Sequence, residues 1–432
     1  MSTRAIRRVV ITGLGVIAPN GNGREEFWQA CIAGRSGIRP ITRFDASFLP
    51  TRIAGEVRDF PAHEFGLSEN EIELLDRGTQ FVLAAANLAL RDSGLEERID
   101  HEGCGVAIGT AMGPVAEGEH LWRLFTGDGA HQPRYPAEGA QLFTLLSSSM
   151  PAAAIATHHQ LHGPNTVIAT GCSAGADAIG QAFWHIQEGR ATSMLAGGCD
   201  SAISPSSISV FSIMRALSTN NAEPERASRP YDARRDGFVM SEGAGVLLLE
   251  EREAALERGA TIYAELVAFV SNNNAYHMTP LPTNGRPLQD LLRLAMDEAS
   301  ITPQDLGYIN SHGSSTPSNE PAETAAYKAV FGDYAYRIPI SATKSMIGHT
   351  QGAASAIETI VTALALHHQI LPPTINQEEM DAQCDLDYVP NVARPTHLQV
   401  ALTHSSGFGG VNTALVLARP DFLESQERAK GL

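Results

Sequence analysis

The chain has 432 residues, of which 43% are hydrophobic and 18% charged, with 39 Gly, 24 Pro and five Cys. That composition excludes disorder, collagen-like repeats and a small disulfide scaffold, and is long enough for a large core. A formal charge of −17 excludes a broad basic face for nucleic acid, and no apolar run reaches the roughly 18–20 residues of a membrane span. The opening Met1–Arg8 (MSTRAIRR) leads into Val9–Val16 without a small-residue cleavage site, so a cytoplasmic protein is expected. Cys31, Cys104, Cys172, Cys199 and Cys384 are scattered and form no C-x-x-C pair, which predicts reduced thiols and no zinc site. Of 31 cations only Lys328, Lys344 and Lys430 are lysines, so each ammonium invites a question.

In chain order, short Val/Ile-rich runs alternate with longer helical patterns. Strands are predicted at Val9–Thr12, Val106–Gly109, Thr166–Ala169, Met194–Gly197 and Val246–Leu249. An amphipathic helix is predicted over Thr79–Ser93 with Gly94 as its stop. The order then recurs: helix Gln289–Ser300, strand Gly307–Asn310, strand Ile338–Ser341 and helix Ala353–His367 parallel the elements around Gly105–Gly109 and Cys172. The pattern predicts an α/β protein built by internal duplication, with an N-terminal half (residues 1–255) carrying Cys172 and a C-terminal half (residues 256–432) carrying two loop histidines. The boundary falls near Glu253–Gly259.

Three loops carry chemistry. Cys172 lies in Thr170-Gly171-Cys172-Ser173-Ala174-Gly175, between a strand and a helix that runs to about Gln187. A helix N-terminus stabilises an anion, so the thiol pKa is expected to move toward the thiolate; the other four cysteines read as small buried hydrophobes. His312 lies in Asn310–Pro317 and His349 ends Ser341–His349, both flanked by Gly and hydroxylated residues. An H-H-x-x-H stretch ends at His162 with no carboxylate nearby in sequence, and no metal is expected there. One Cys with two separated His suits nucleophilic, acid–base or electrostatic roles; spacing alone leaves the reaction open.

The combination T-G-C-S-A-G, N-S-H-G-S-S-T-P, S-A-T-K-S-M-I-G-H and S-G-F-G-G-V-N resembles the elongating β-ketoacyl–acyl-carrier-protein synthases, of the KAS II type and the ketosynthases of type II polyketide pathways. Val9–Val16, Ser228–Gly245 and Leu371–Asn376 agree, so the likeness spans nearly the whole chain. The resemblance implies a thiolase-like fold: two βαβαβαββ halves in a five-layer α-β-α-β-α arrangement. It implies decarboxylative Claisen condensation of malonyl thioester with an acyl group held on Cys172, with His312 and His349 at the malonyl carbonyl. Lys344 becomes a structural and electrostatic partner and Glu323 its counter-charge. Phe408 falls in the gating loop, its backbone N–H joining that of Cys172 as an oxyanion hole, and Met112 is the acyl-pocket candidate. No metal or organic cofactor is implied. The implied partners are acyl carrier protein and a second subunit, as a homodimer or as a heterodimer with a chain-length-factor-like chain. The alternative is a scaffold subunit with little activity alone.

His349 separates the chain from Cys-His-Asn relatives, and Gly407-Phe408-Gly409-Gly410 lacks the second Cys of thiolases. Three hints point to a specialised ketosynthase, for polyketide chains more than for housekeeping fatty-acid elongation: Ser406 stands where the KAS II pattern has Phe, Pro317–Pro321 replaces the usual Gly-Asp ending, and Met112 at the acyl-pocket position is long and flexible. Carrier proteins are acidic, so docking on this acidic chain calls for a local arginine patch. Arg52, Arg58, Arg77, Arg215 and Arg226 are the candidates.

Overall fold

The computed structural model describes residues 6–134, 142–279 and 282–423; Lys430 lies outside them. Ten strands build the main sheet: β1 Val9–Ala18, β2 Cys104–Gly109, β3 Asn165–Ile168, β4 Ser193–Asp200, β5 Gly243–Glu251, β6 Ala264–Asn273, β7 Leu306–Asn310, β8 Ile340–Ser341, β9 Val400–Ser406 and β10 Val411–Ala418. Their order is β8-β7-β9-β10-β6-β1-β5-β4-β2-β3, and the two-residue strand Gly21–Asn22 pairs with β1. Read outward from the centre, one set runs β1-β5-β4-β2-β3 and the other β6-β10-β9-β7-β8, the same order with every index raised by five. The sense of pairing repeats too. β1/β5, β4/β5, β6/β10 and β9/β10 are antiparallel, whereas β2/β4, β2/β3, β7/β9 and β7/β8 are parallel. The sets meet where Val9–Ile11 pairs antiparallel with Ala264–Leu266.

Four helices set the layers. α1 (Arg77–Ser93) packs on β1 and β5, α2 (Ala174–Gln187) on β2 and β4, α3 (Arg286–Glu298) on β6 and β10, and α4 (Ala354–His368) on β5 and β9. α2 and α4 also touch each other and join both strand sets, giving helix, sheet, paired helices, sheet, helix: the thiolase-like arrangement. α1 starts because the Asp76 carboxylate accepts from Gly78 N and Thr79 N, and stops at Gly94 in the left-handed region. The central pair is the apolar heart. Ile179 and Phe183 of α2 and Ile357 and Ile360 of α4 share one cluster with Leu247 and Leu415 from the two strand sets. Burying each such side chain contributes about 1.5–3 kcal/mol. Gly175 permits the approach of these helices, since a Cβ there would lie 2.8 Å from the Ala356 Cβ.

The predicted elements appear within a few residues, with two differences. β1 runs on to Ala18 through Gly13 and Gly15, which interrupt its apolar pattern but face the backbone of α1. The expected strand Ile338–Ser341 is only the two residues of β8. Strands β6, β9 and β10 were not anticipated. Residues 253–259, expected as a boundary, mostly form a short helix, Arg252–Glu257. No described helix is long and apolar enough to cross a membrane.

Candidate active site

Cys172 stands in the turn between β3 and α2. Gly171 takes φ 64°, a left-handed bend that suits glycine, and the sulfur is turned into the interior. Asp177 of α2 anchors this turn, accepting from Thr170 Oγ1 at 2.5 Å and from Thr413 Oγ1 of β10 at 2.5 Å. The backbone N–H groups of Phe408 and of Cys172 itself favour the thiolate form of the sulfur. The expected drop in thiol pKa is not what the fold produces. Burial pushes Cys172 up to about 11, outweighing the Lys344 ammonium and the Phe408 N–H, which pull it down. The resting group is a thiol.

His312 follows β7 and His349 follows the short helix Lys344–Ile347. The Cys172 sulfur and one nitrogen of each imidazole lie within 4.8 Å of one another, and all three residues are buried. The rings meet edge to face with centroids 5.3 Å apart. Burial and the nearby Lys344 charge hold both imidazoles neutral, their pKa values well below the usual histidine range. Their tautomers follow from their neighbours. Gln351 N donates to His349 Nδ1 at 3.1 Å, and the Lys344 ammonium, which can only donate, lies 3.4 Å from His312 Nδ1. Each Nδ1 therefore accepts and each Nε2 carries the proton, which makes the pair hydrogen-bond donors rather than metal ligands.

Lys344 is 1% exposed and donates to His312 O at 2.7 Å and Glu358 Oε1 at 2.5 Å. Glu358, not Glu323, is thus its ion-pair partner. Glu323 lies within reach of the ammonium's field, but its oxygens accept from Gly313 N at 3.1 Å and Tyr231 OH at 2.6 Å, bracing the loop after His312. Burial drives the Glu358 carboxyl up to about 7, with Lys344 opposing. Sequence reasoning missed Glu358, although it is the single charged residue between Ala354 and Leu366. It also missed Ser405, whose hydroxyl donates to Cys172 O at 3.0 Å and touches His312 Nδ1 at 3.3 Å.

A cavity of about 290 Å³ leads to the three residues; Phe238, Gln351 and Ser406 line its walls, and Met214, Arg215 and Phe408 are its exposed rim. The Phe408 ring stacks on Phe211. Met112 is not on this wall. Its side chain packs behind it, in an apolar cluster with Phe211, Phe238 and Met240. Of the five arginines singled out, Arg77 is bound to the buried Glu242 at 2.9 Å, Arg226 to Glu223 at 3.0 Å, and Arg58 lies 3.7 Å from Glu56. Arg52 and Arg215 are exposed without an ion pair among the described residues. The H-H-x-x-H stretch does find a carboxylate in space: His158 Nδ1 is 2.6 Å from Glu71 Oε1, while His159 Nε2 bonds Asn87 Oδ1 at 2.8 Å.

Comparison with known proteins places these residues in a family. Residues 6–255 match the family model for the β-ketoacyl synthase N-terminal domain and residues 263–378 that for its C-terminal domain. The chain is 44% identical over 422 residues to the tetracenomycin polyketide synthase ketoacyl synthase alpha subunit of Streptomyces glaucescens, covering 97% of this chain and 99% of that one. It is 45% identical over 417 residues to 3-oxoacyl-[acyl-carrier-protein] synthase 2 of Coxiella burnetii, covering 96% and 99%. Among solved structures, a type II polyketide acyl-carrier protein in complex with its ketosynthase bound to the hexaketide matches with TM-score 0.89 and 38% identity, over 96% of this chain and 100% of that one. The ishigamide ketosynthase/chain length factor matches with TM-score 0.88 and 34% identity, over 96% and 100%. The chain belongs to the β-ketoacyl synthase family, and is a condensing acyltransferase of polyketide or fatty-acid synthesis.

Proposed function

We propose that Cys172 is the acyl-accepting nucleophile and that His312 and His349 drive decarboxylation of the extender. The convergence of one sulfur and two Nε2–H imidazoles within 4.8 Å carries this reading. In the first half-reaction the Cys172 sulfur attacks an acyl thioester on a carrier protein. The C–S bond to the carrier breaks, and the thiol proton ends on the carrier's phosphopantetheine sulfur, so the exchange neither consumes nor releases a proton overall. We assign the oxyanion of this step to the amides of Cys172 and Phe408, a reading supported by their pull on the sulfur. In the second, a malonyl thioester loses CO2; the enolate oxygen takes the two Nε2–H bonds. Its carbon attacks the Cys172 thioester, the C–S bond breaks, and the thiolate regains a proton from solvent. Neutral imidazoles suit this, because they donate to an oxygen whose charge grows only in the transition state.

For the chain being extended we favour an oxygenated, polyketide type. Behind the cavity wall, the apolar cluster of Phe238 and Met112 includes Phe44 and Ile203, which border a second cleft of about 760 Å³. That cleft also presents Arg43, His120, Ser201 and Ser204, groups that can meet keto oxygens. The carrier docks at the rim beside Arg215, and a chain-length-factor-like partner or a second copy completes the enzyme.

The test is intact-mass spectrometry of wild type and Cys172→Ala after incubation with carriers bearing acyl chains of several lengths, followed by malonyl carrier. A mass gain lost in Cys172→Ala, with β-ketoacyl product, is expected. No acylation by any chain, with or without a partner subunit, overturns the reading in favour of a scaffold.

A further inference from the structure

Asp200 ends β4, is 2% exposed and has no ion-pair partner among the described residues. Its carboxylate accepts from four neutral donors. Oδ1 takes Thr110 Oγ1 at 2.7 Å and Met112 N at 3.1 Å; Oδ2 takes Ala111 N at 2.8 Å and Gly352 N at 2.6 Å. The two oxygens are thereby saturated, and one carboxylate joins a loop of the first strand set to the turn that follows His349 in the second. Burying a carboxylate without a cation is costly, and here burial pushes the group up to about 6 despite its four donors. A fold that needed only to satisfy those amides has cheaper neutral acceptors available, so the charge points to a task.

The geometry points to Asp200 as a positioning residue for His349. Gly352 N, held by Asp200, is the amide next to Gln351 N, which donates to His349 Nδ1 and so keeps the proton on Nε2. Gln351 itself takes φ 54°, an unfavourable conformation for a residue with a Cβ, so the turn needs an outside anchor to stay in register. The same carboxylate holds the Met112 amide, which ties the loop after β2 to the turn after His349. This inference rests on the functional reading above, in which the His349 Nε2–H bond strengthens as the enolate forms. Loosening the turn therefore lowers kcat for decarboxylation rather than raising KM. Cys172 acylation does not use the His349 Nε2–H bond and is therefore not slowed.

The experiment follows the half-reactions separately in Asp200→Ala and Asp200→Asn, with melting temperature recorded and the enzyme labelled with 15N-histidine. Expected for Asp200→Ala are Cys172 acylation at the wild-type rate or faster, and a kcat for malonyl-carrier decarboxylation lower by about tenfold with KM within about twofold. The His349 ring signals, assigned against His349→Ala, should shift; Asp200→Asn, which keeps one acceptor oxygen, should fall between. A folded Asp200→Ala with wild-type decarboxylation, or an equal loss in both half-reactions, overturns the proposal. If Asp200→Ala does not fold, unchanged decarboxylation and unchanged His349 signals in Asp200→Asn overturn it. A wild-type enzyme that never acylates Cys172 would instead count against the functional reading.

Discussion

Lys344 and Glu358 form an ion pair with 1% side-chain exposure each, and the same ammonium that lies 2.5 Å from Glu358 Oε1 donates to the carbonyl of His312. The pair does two things at once. It places a positive charge that adds to burial in keeping the His312 and His349 imidazoles neutral, and it fixes His312 Nδ1 as an acceptor. Removing one partner of a buried pair costs about 3–5 kcal/mol because the other charge is left unpaired. Glu358→Gln should therefore lower stability by that amount in denaturant unfolding. The Lys344→Met, Glu358→Gln double variant should regain part of the stability without regaining decarboxylation. A double variant less stable than Glu358→Gln would show that the two residues are not coupled in this way.

The proposed roles confine the two imidazoles to one half-reaction. His312→Ala or His349→Ala should slow malonyl decarboxylation by about a hundredfold or more, while Cys172 still gains acyl mass within a few-fold of the wild-type rate. Because both rings stay neutral well below the usual histidine range, neither should contribute an acid limb to decarboxylation near the ordinary imidazole pKa. A rate that halves around pH 6.5 and keeps that limb in Asp200→Asn and Glu358→Gln, which remove the two carboxyls that burial raises to about 6 and about 7, would mean that one ring charges in the working enzyme.

Arg215 and Arg77 should respond differently although both were singled out as docking candidates. Arg215 is a cation on the cavity rim without an ion pair among the described residues, so Arg215→Glu should raise KM for the carrier-borne substrate and weaken the salt dependence of that KM at unchanged stability. Arg77→Ala strips a partner from the fully buried Glu242 and should lower the melting temperature instead. Carrier binding by the wild type that is the same in low and high salt would refute the docking assignment.

Alkaline destabilisation should be steep. Burial raises Cys31 to about 12 and Cys104 and Cys172 to about 11, and places Cys199 well above its ordinary 9.0. Once pH passes 9 the unfolded thiols lose protons that the folded ones keep. The unfolded chain then binds fewer protons, and stability falls as pH rises, by about 1.4 kcal/mol per pH unit for each thiol. Denaturant midpoints measured from about pH 8 to about pH 10 should drop, and Cys31→Ala should shallow the slope. An unchanged slope in that variant would show that the thiols are not responsible.

Much of the chemistry was legible in local chain patterns. Asp76 and Gly94 bracket α1, Val/Ile runs mark β2 and β3, the apolar run Met194–Gly197 marks β4, and Cys172 falls between a strand and a helix N-terminus. The duplicated rhythm reappears as a strand order repeated with every index raised by five. What stayed hidden were elements whose signals are not local. β1 continues through Gly13 and Gly15 because those glycines meet the α1 backbone, a contact made across the fold.

The sequence by itself determined which residue types sit in which loops, since turns, caps and apolar periodicity are short-range properties of the chain. Only the tertiary structure decided what those residues are chemically. Cys172 rests as a thiol because burial outweighs the pull of Lys344 and the Phe408 amide. Lys344 pairs with Glu358 because α4 brings that carboxylate beneath the site, leaving Glu323 to brace Gly313. Met112 stands behind the cavity wall rather than on it. Desolvation and partner choice depend on what covers a group from other elements, and no window of sequence around that group contains them.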